Sequence, residues 1–210
     1  MRSPGEPLPV CLITQRSLCP DRASFSARLG AAAQAGLSML VIREPDLGGA
    51  ALARLVSDIR EVLVRRQRPD LPLLVSRRLD VALATGAAGV HLPARGLAVD
   101  AVRRLVPGSF RVGVSTHSVD EVIAAQRRGA DHAFLGPVFP TDSHPGHPGR
   151  GVGLLRQATS ATSIPLWAIG GIGAHNVDAV RALPVAGVAV IRAVWTAVDA
   201  AAAVRRLAGG

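Results

Sequence analysis

The chain has 210 residues, of which 49% are hydrophobic and 3% aromatic, and its formal net charge is +9. This composition supports a globular domain with a sizeable core and excludes a disordered chain, and no apolar run approaches the roughly 20 residues of a membrane span. All 24 basic residues are arginine, which excludes chemistry on a lysine amine, and neither the aromatic content nor any motif favours nucleic-acid binding.

Short apolar runs alternate with amphipathic stretches along the whole chain. The runs are apolar at nearly every position, which is typical of parallel strands that are buried on both faces. We predict eight strands in chain order: Val10–Thr14, Ser38–Ile42, Leu71–Val75, Gly89–His91, Phe110–Val114, His132–Leu135, Pro165–Ile169 and Gly187–Ile191.

The stretches between the runs carry helix signals. Ala50–Val64 has apolar residues at helical spacing. Val119–Arg128 follows Ser118, and Glu121 three residues later completes a capping box. Two further helices are predicted at Val177–Leu183 and Ala197–Leu207.

The alternation of eight strands with about as many helices predicts the fold class. It favours an α/β fold with a single (β/α)8 TIM barrel, formed by residues 1–210 as one domain, over an open doubly wound sheet. In such a barrel, the residues just past the carboxyl ends of the strands converge on the active face. We refer to these positions as the rim.

The rim predicts a phosphorylated ligand. Gly170 and Gly171 follow strand 7, where glycine lets backbone amides approach a ligand closely, and the loops after strands 7 and 8 of a TIM barrel commonly hold phosphate. Only two carboxylates, Glu44 and Asp142, lie on the rim, which disfavours a two-carboxylate hydrolase or a carboxylate-bound metal site.

Seven segments in chain order resemble the thiamine phosphate synthase / TenI superfamily. They are Leu12–Thr14, Ile42–Glu44, Gly89–Leu92, Gly113–Ser118, Gly136–Thr141, Ala168–Ile172 and Gly187–Val190. The resemblance covers almost the whole chain and implies a TIM-barrel enzyme of thiamine biosynthesis. The synthase branch joins a pyrimidine diphosphate to a thiazole phosphate with Mg²⁺ and releases pyrophosphate, whereas the TenI branch includes a thiazole tautomerase.

The chain departs from the synthase pattern where that pattern binds Mg²⁺ and diphosphate. The two aspartates that the synthase pattern has after strands 3 and 4 are replaced in this chain by Arg77 and Gly96. The lysine that the pattern has in the loop after strand 6 is replaced by His144. Mg²⁺ needs carboxylate oxygens, so the resemblance implies that the metal–diphosphate half of the site is not assembled. The segment Gly149–Val152 is similar to TenI relatives, so we expect a protein closer to that branch.

The resemblance therefore implies a metal-independent thiazole tautomerase, an isomerase that aromatises its substrate by proton transfer. His117 would transfer the protons, because imidazole exchanges protons near neutral pH, and Arg43 would bind the substrate carboxylate. His117 could instead only shape its loop. Two alternatives stay open: a diverged thiamine phosphate synthase, and a non-catalytic phosphate-ligand or regulatory protein.

Further site residues follow from the same resemblance. Phosphate would be held by the backbone of Gly170, Gly171 and Ile191 with Thr141 and Ser143, and the remaining substrate-binding candidates are Ser115, His144 and Arg192.

Other rim and strand-end residues have simpler interpretations. Glu44 is expected to pair with Arg43 or Arg78. For Arg77 and Arg78 two interpretations stay open: binding of an acidic substrate group, or an ion pair with Asp80 at a helix start. We interpret His91 as a hydrogen-bonded structural residue.

The expected ligand is a small phosphorylated thiazole, with no cofactor, no metal ligand, no nucleic acid and no membrane. The first residues have no signal-peptide core, which predicts a cytoplasmic protein. A homodimer or higher homo-oligomer stays open, because the sequence shows no interface.

Overall fold

The structure is a computed structural model that describes residues 6–142, 146 and 148–210. Within these residues, eight parallel strands close into a barrel in sequence order, which confirms the predicted (β/α)8 fold. Each strand matches a predicted run, and their ends agree to within two residues. The strands are β1 Val10–Ile13, β2 Met39–Ile42, β3 Leu73–Ser76, β4 Gly89–Leu92, β5 Arg111–Thr116, β6 His132–Leu135, β7 Leu166–Ile169 and β8 Gly187–Val190.

Helices follow the strands and include the four predicted from the sequence. They are α1 Arg22–Gln34, α2 Gly49–Arg65, α3 Leu79–Ala84, α4 Val99–Arg103, α5 Val119–Arg127, α6 Gly151–Ala161, α7 Val177–Arg181, α8 Arg192–Trp195 and α9 Ala200–Ala208, with a 3-10 turn at Arg16–Leu18. The last helix begins three residues later than predicted, because the Asp199 carboxylate caps it by accepting the N–H groups of Ala201 and Ala202. Within the described residues, every helix is too short or too polar to cross a membrane.

The strands are buried on both faces, as their apolar composition requires. One face packs under the helices, and the other fills the barrel with side chains such as Cys11, Met39, Leu74 and Phe134. The barrel closes where β1 pairs with β8. At this seam the Leu8 N–H donates to the Ala208 carbonyl at 2.8 Å, so the segment before β1 is fastened to the end of α9.

One layer of the barrel interior is polar. His91 of β4, Gly113 of β5 and His132 of β6 lie in register across three neighbouring strands. A Cβ on Gly113 would lie 2.1 Å from His132 Nε2 and 2.7 Å from His91 Nδ1, so only glycine leaves room for both rings. Phe134 packs against the His91 ring at 4.0 Å between centroids. Burial lowers the pKa of His132 to about 4 and holds the pKa of His91 well below its ordinary value.

This layer predicts acid sensitivity. The folded protein keeps His132 neutral down to about pH 4, whereas the unfolded chain takes up the proton below its ordinary pKa of about 6.5. The unfolded state therefore binds more protons between these values, and the free energy of unfolding falls by roughly 3 kcal/mol as the pH drops through the window. Urea unfolding at pH 7 and pH 4.5 should show a smaller fall in the free energy of unfolding for His132→Phe than for the unaltered protein. Equal falls in both proteins would contradict this assignment.

Candidate active site

The turn after β7 allows a neighbouring loop to pack closely against its main chain. Gly170 and Gly171 have positive φ values of +96° and +66°, which L side chains rarely adopt. A Cβ on Gly170 would lie 2.6 Å from Pro137 Cα, and one on Gly171 would lie 2.3 Å from the Pro140 carbonyl oxygen. The turn therefore needs glycine because the loop after β6 packs directly against it.

The loop after β6 is fixed to this turn by main-chain hydrogen bonds. The Val138 N–H donates to the Ile169 carbonyl at 2.9 Å, and the Phe139 N–H donates to the Gly170 carbonyl at 3.0 Å. The Gly151 N–H donates to the Val138 carbonyl at 2.8 Å, which ties the start of α6 to the same segment. These bonds extend the β6–β7 pairing past the barrel and make one rigid wall of the rim.

Three backbone donors remain at the ends of β7 and β8. Among the residues that the structure describes, the N–H groups of Gly170, Gly171 and Ile191 donate no hydrogen bond. All three residues are half-buried. Unpaired amides at neighbouring strand ends suit an anion with several acceptor oxygens. We call these three groups the amide cluster.

The loop beyond Pro140 reaches over to β8. Arg192, just after β8, forms an ion pair with Asp142 at 3.4 Å, so its guanidinium faces that loop. Thr141 is half-buried beside it. Ser143 and His144 lie outside the described residues, so their predicted contacts stay predictions.

Two hydrogen bonds to other described residues hold His117 just after the end of β5. Its Nδ1 lies 2.7 Å from the Gly136 carbonyl oxygen, and its backbone N–H donates to the Glu121 carboxylate at 2.6 Å. A carbonyl oxygen can only accept, so Nδ1 carries the proton and Nε2 is the basic nitrogen of the neutral ring. This arrangement suits a group that takes up and returns a proton.

The capping box that begins α5 is only half as predicted. The Glu121 N–H donates to Ser118 Oγ at 3.2 Å, but the Glu121 carboxylate accepts from His117 rather than from Ser118. The Glu121 carboxylate binds the N–H of the residue before Ser118, and thereby fixes the backbone of His117, the candidate catalytic histidine.

Ser115 and His91 form a pair that the sequence did not predict. Ser115 Oγ lies 3.0 Å from His91 Nε2, across β4 and β5. The bond agrees with a hydrogen-bonded structural role for His91. Ser115 is half-buried two residues before His117, so this bond links the barrel interior to the rim.

Arg43 and Glu44 follow β2 and differ in burial: Arg43 is exposed and Glu44 is buried. The Arg43 N–H donates to Thr14 Oγ1 at 2.9 Å, and its exposed side chain borders a cleft of about 1380 Å³ lined by residues between 15 and 85. The residues of the amide cluster do not line this cleft.

The expected partner of Glu44 was wrong. Glu44 is buried, and it accepts the Arg16 N–H at 3.0 Å and pairs with the Arg16 guanidinium, rather than with Arg43 or Arg78. The 3-10 turn after β1 places Arg16 over it. Burial raises the pKa of Glu44, and the bonds from Thr14 and Arg16 oppose this shift. Arg78 pairs with Asp80, which is the alternative that the sequence had left open.

The rim residues do not fit the Mg²⁺ that the synthase branch uses. Three exposed carboxylates near the strand ends are already paired with arginine: Asp46 with Arg16 at 2.6 Å, Asp80 with Arg78 at 2.5 Å, and Asp142 with Arg192 at 3.4 Å. In the described part of the chain, no three His, Cys, Asp or Glu residues come together as metal ligands. After β3 the exposed residue is the cation Arg77, in a left-handed conformation with φ +68°.

Comparisons with known proteins agree with the fold and show the family. The family model described as thiamine monophosphate synthase matches residues 10–194. A thiamine-phosphate synthase of Methanoculleus marisnigri is 42% identical over 86% of this chain and 84% of its own length, and one of Chlorobium luteolum is 38% identical over 99% and 94%. The structure of thiamine phosphate pyrophosphorylase from Pyrococcus furiosus superposes with a TM-score of 0.83 at 30% identity, over 95% of this chain and 93% of that one. The chain therefore belongs to the thiamine monophosphate synthase family.

Proposed function

We propose that this protein is an enzyme of thiamine biosynthesis that binds a thiazole phosphate at the carboxyl ends of β7 and β8. The observation that carries the proposal is the amide cluster, whose donors are half-buried and unpaired within the described residues. A phosphate monoester offers three acceptor oxygens to such donors, and its charge is compatible with Arg192 nearby. Family membership supports the same class of substrate.

The comparisons favour the synthase reaction over the tautomerase that the sequence departures predicted. Relatives 42% and 38% identical to this chain, and matched over most of their length, are named thiamine-phosphate synthase. That reaction joins a pyrimidine diphosphate to a thiazole phosphate and releases pyrophosphate. The first candidate activity is therefore thiamine phosphate synthase, a transferase.

The rim side chains favour the second candidate, a metal-independent thiazole tautomerase. His117 has a fixed tautomer with Nε2 as its basic nitrogen, and Arg77 occupies the position after β3 where the synthase pattern has an aspartate. Aromatisation of a thiazole needs one proton removed from a ring position and one returned at another, with no net redox change. A single neutral imidazole can perform both transfers.

One assay separates the two candidates. The purified protein is incubated with thiazole phosphate and pyrimidine diphosphate, with Mg²⁺ or with EDTA, and released pyrophosphate is measured. The same protein is given the carboxythiazole phosphate tautomer, and ring aromatisation is followed by NMR in D₂O. Pyrophosphate release would establish the synthase, and aromatisation unaffected by EDTA would establish the tautomerase. Neither activity, with thiazole phosphate still bound, would leave a binding protein and overturn the enzymatic proposal.

Substitution of Gly171 tests the amide cluster. Gly171→Ala places a Cβ at positive φ and 2.3 Å from the Pro140 carbonyl oxygen, so the turn must move. We expect about 1–3 kcal/mol of lost stability and at least tenfold weaker binding of thiazole phosphate, measured by urea unfolding and calorimetry. The control Gly153→Ala lies in α6 with no atom within 4 Å of its added Cβ. It should leave the affinity nearly unchanged and raise the free energy of unfolding by at most about 1 kcal/mol. Equal affinities of the two variants would contradict phosphate binding at this turn.

Substitution of His117 tests proton transfer. In His117→Asn the amide can still donate to the Gly136 carbonyl, but the basic nitrogen is lost. For a tautomerase we expect kcat to fall about 10²–10⁴-fold while the affinity for thiazole phosphate stays within about twofold. His175→Asn, an exposed histidine before α7, serves as the control and should retain full activity. An unchanged kcat in His117→Asn would assign His117 only to loop structure.

A further inference from the structure

Two buried histidine nitrogens face one point inside the barrel. His91 Nδ1 and His132 Nε2 are inaccessible to solvent and have no hydrogen-bond partner among the described residues. Both lie within 3 Å of the position that a Cβ of residue 113 would take, at 2.7 Å and 2.1 Å. A buried polar nitrogen without a partner costs on the order of 1–3 kcal/mol, so a shared interaction over Gly113 is strongly favoured.

A direct hydrogen bond between the two rings would couple their tautomers. Two N–H groups, or two lone pairs, cannot bond to each other, so such a bond needs one nitrogen to donate and the other to accept. The two nitrogens are unpaired in the structure, so a small shift of either ring would complete the bond. Gly113 makes this arrangement accessible because it has no side chain.

The other end of the His91 ring reaches the active face. His91 Nε2 contacts Ser115 Oγ at 3.0 Å, and Ser115 is half-buried at the end of β5. If Nε2 carries the proton and donates to Ser115, the serine hydroxyl hydrogen is available to a ligand. If Nε2 lacks the proton, the hydroxyl hydrogen points back into the barrel. The tautomer of His91 therefore decides whether Ser115 presents a donor or an acceptor.

We propose that His132 is a positioning residue that sets the hydroxyl of Ser115 through His91. His132 Nε2–H donates toward His91 Nδ1, His91 Nε2–H donates to Ser115 Oγ, and the Ser115 hydroxyl donates to an anionic group of the ligand. This direction rests on the proposed function, because an anionic substrate needs a donor at the rim. The three side chains come from the neighbouring strands β4, β5 and β6.

The chain of hydrogen bonds from His132 through His91 to Ser115, which we call the relay, requires both rings to be neutral, and the surroundings keep them so. Burial lowers the pKa of both histidines, and their closeness lowers that of His91 further. Near His132, Asp131 opposes the shift and Arg111 adds to it. Phe134 covers the His91 ring at 4.0 Å and the His132 ring at 5.4 Å between centroids, so aromatic packing holds both rings in place.

The first test reads the tautomers directly in the unaltered protein. Long-range ¹H–¹⁵N spectra of protein labelled with ¹⁵N-histidine at pH 7 should show both His91 and His132 as Nε2–H tautomers. Peak assignment uses His132→Gln and His91→Gln. A Nδ1–H tautomer at His91, or a doubly protonated ring at either position, would overturn the proposal. This measurement needs no substrate.

The second test measures the effect on the rim. His132→Phe keeps an aromatic ring but removes the donor, whereas His132→Gln keeps a donor near the Nε2 position. We expect about fivefold to tenfold weaker binding of thiazole phosphate for His132→Phe and affinity within about twofold of the unaltered protein for His132→Gln. Thermal unfolding confirms that each variant is folded before its affinity is compared.

The outcomes separate the relay from the proposed function. Equal affinities of folded His132→Phe and unaltered protein would overturn the role of His132 at the rim. Failure of the unaltered protein to bind thiazole phosphate would overturn the proposed function and the proposed hydrogen bond from Ser115 to the ligand. The tautomer of His91 would still show whether His132 donates a hydrogen bond to it. Weaker binding by His132→Phe, restored in His132→Gln, supports the whole relay.

Discussion

Closure of the eight-stranded barrel is the constraint on which the site depends. A parallel sheet that closes on itself has all its strands ending at one rim, so residues far apart in sequence share one face. Closure also requires strands that are apolar on both sides, since one side meets the helices and the other fills the interior. The amide cluster exists because β7 and β8 end side by side, where the main chain turns away and leaves its N–H groups without a strand partner.

The fold and half of the site could be predicted from local signals. Apolar runs located the strands, and a glycine pair directly after a strand located the turn at Gly170, because only glycine tolerates its backbone angles and close neighbours. Pairings between distant segments could not be predicted. The pairing of Glu44 with Arg16 depends on a 3-10 turn that places Arg16 over the carboxylate. The proximity of His91 and His132 depends on strand register, which no single sequence displays.

Arginine dominates the electrostatics of the rim. The carboxylates near the strand ends are neutralised by guanidinium groups, and the exposed residue after β3 is itself a cation. Such a rim attracts anions without offering oxygen ligands to a hard metal ion. The relatives and the side chains therefore point to different reactions on the same substrate class. Change at a few rim positions can alter the reaction of a TIM-barrel enzyme, because such a barrel keeps its stability in the core and its chemistry in the loops.

The seam between β1 and β8 has a consequence for the connectivity of the chain. The segment before β1 is hydrogen-bonded to the end of α9, so the first and last described parts of the chain are spatial neighbours. A short flexible linker can span them, and new termini can be opened in an exposed loop such as 94–98, between β4 and α4. A circularly permuted protein of this kind would retain each strand pairing of the ring, so the order of synthesis is separable from the final architecture.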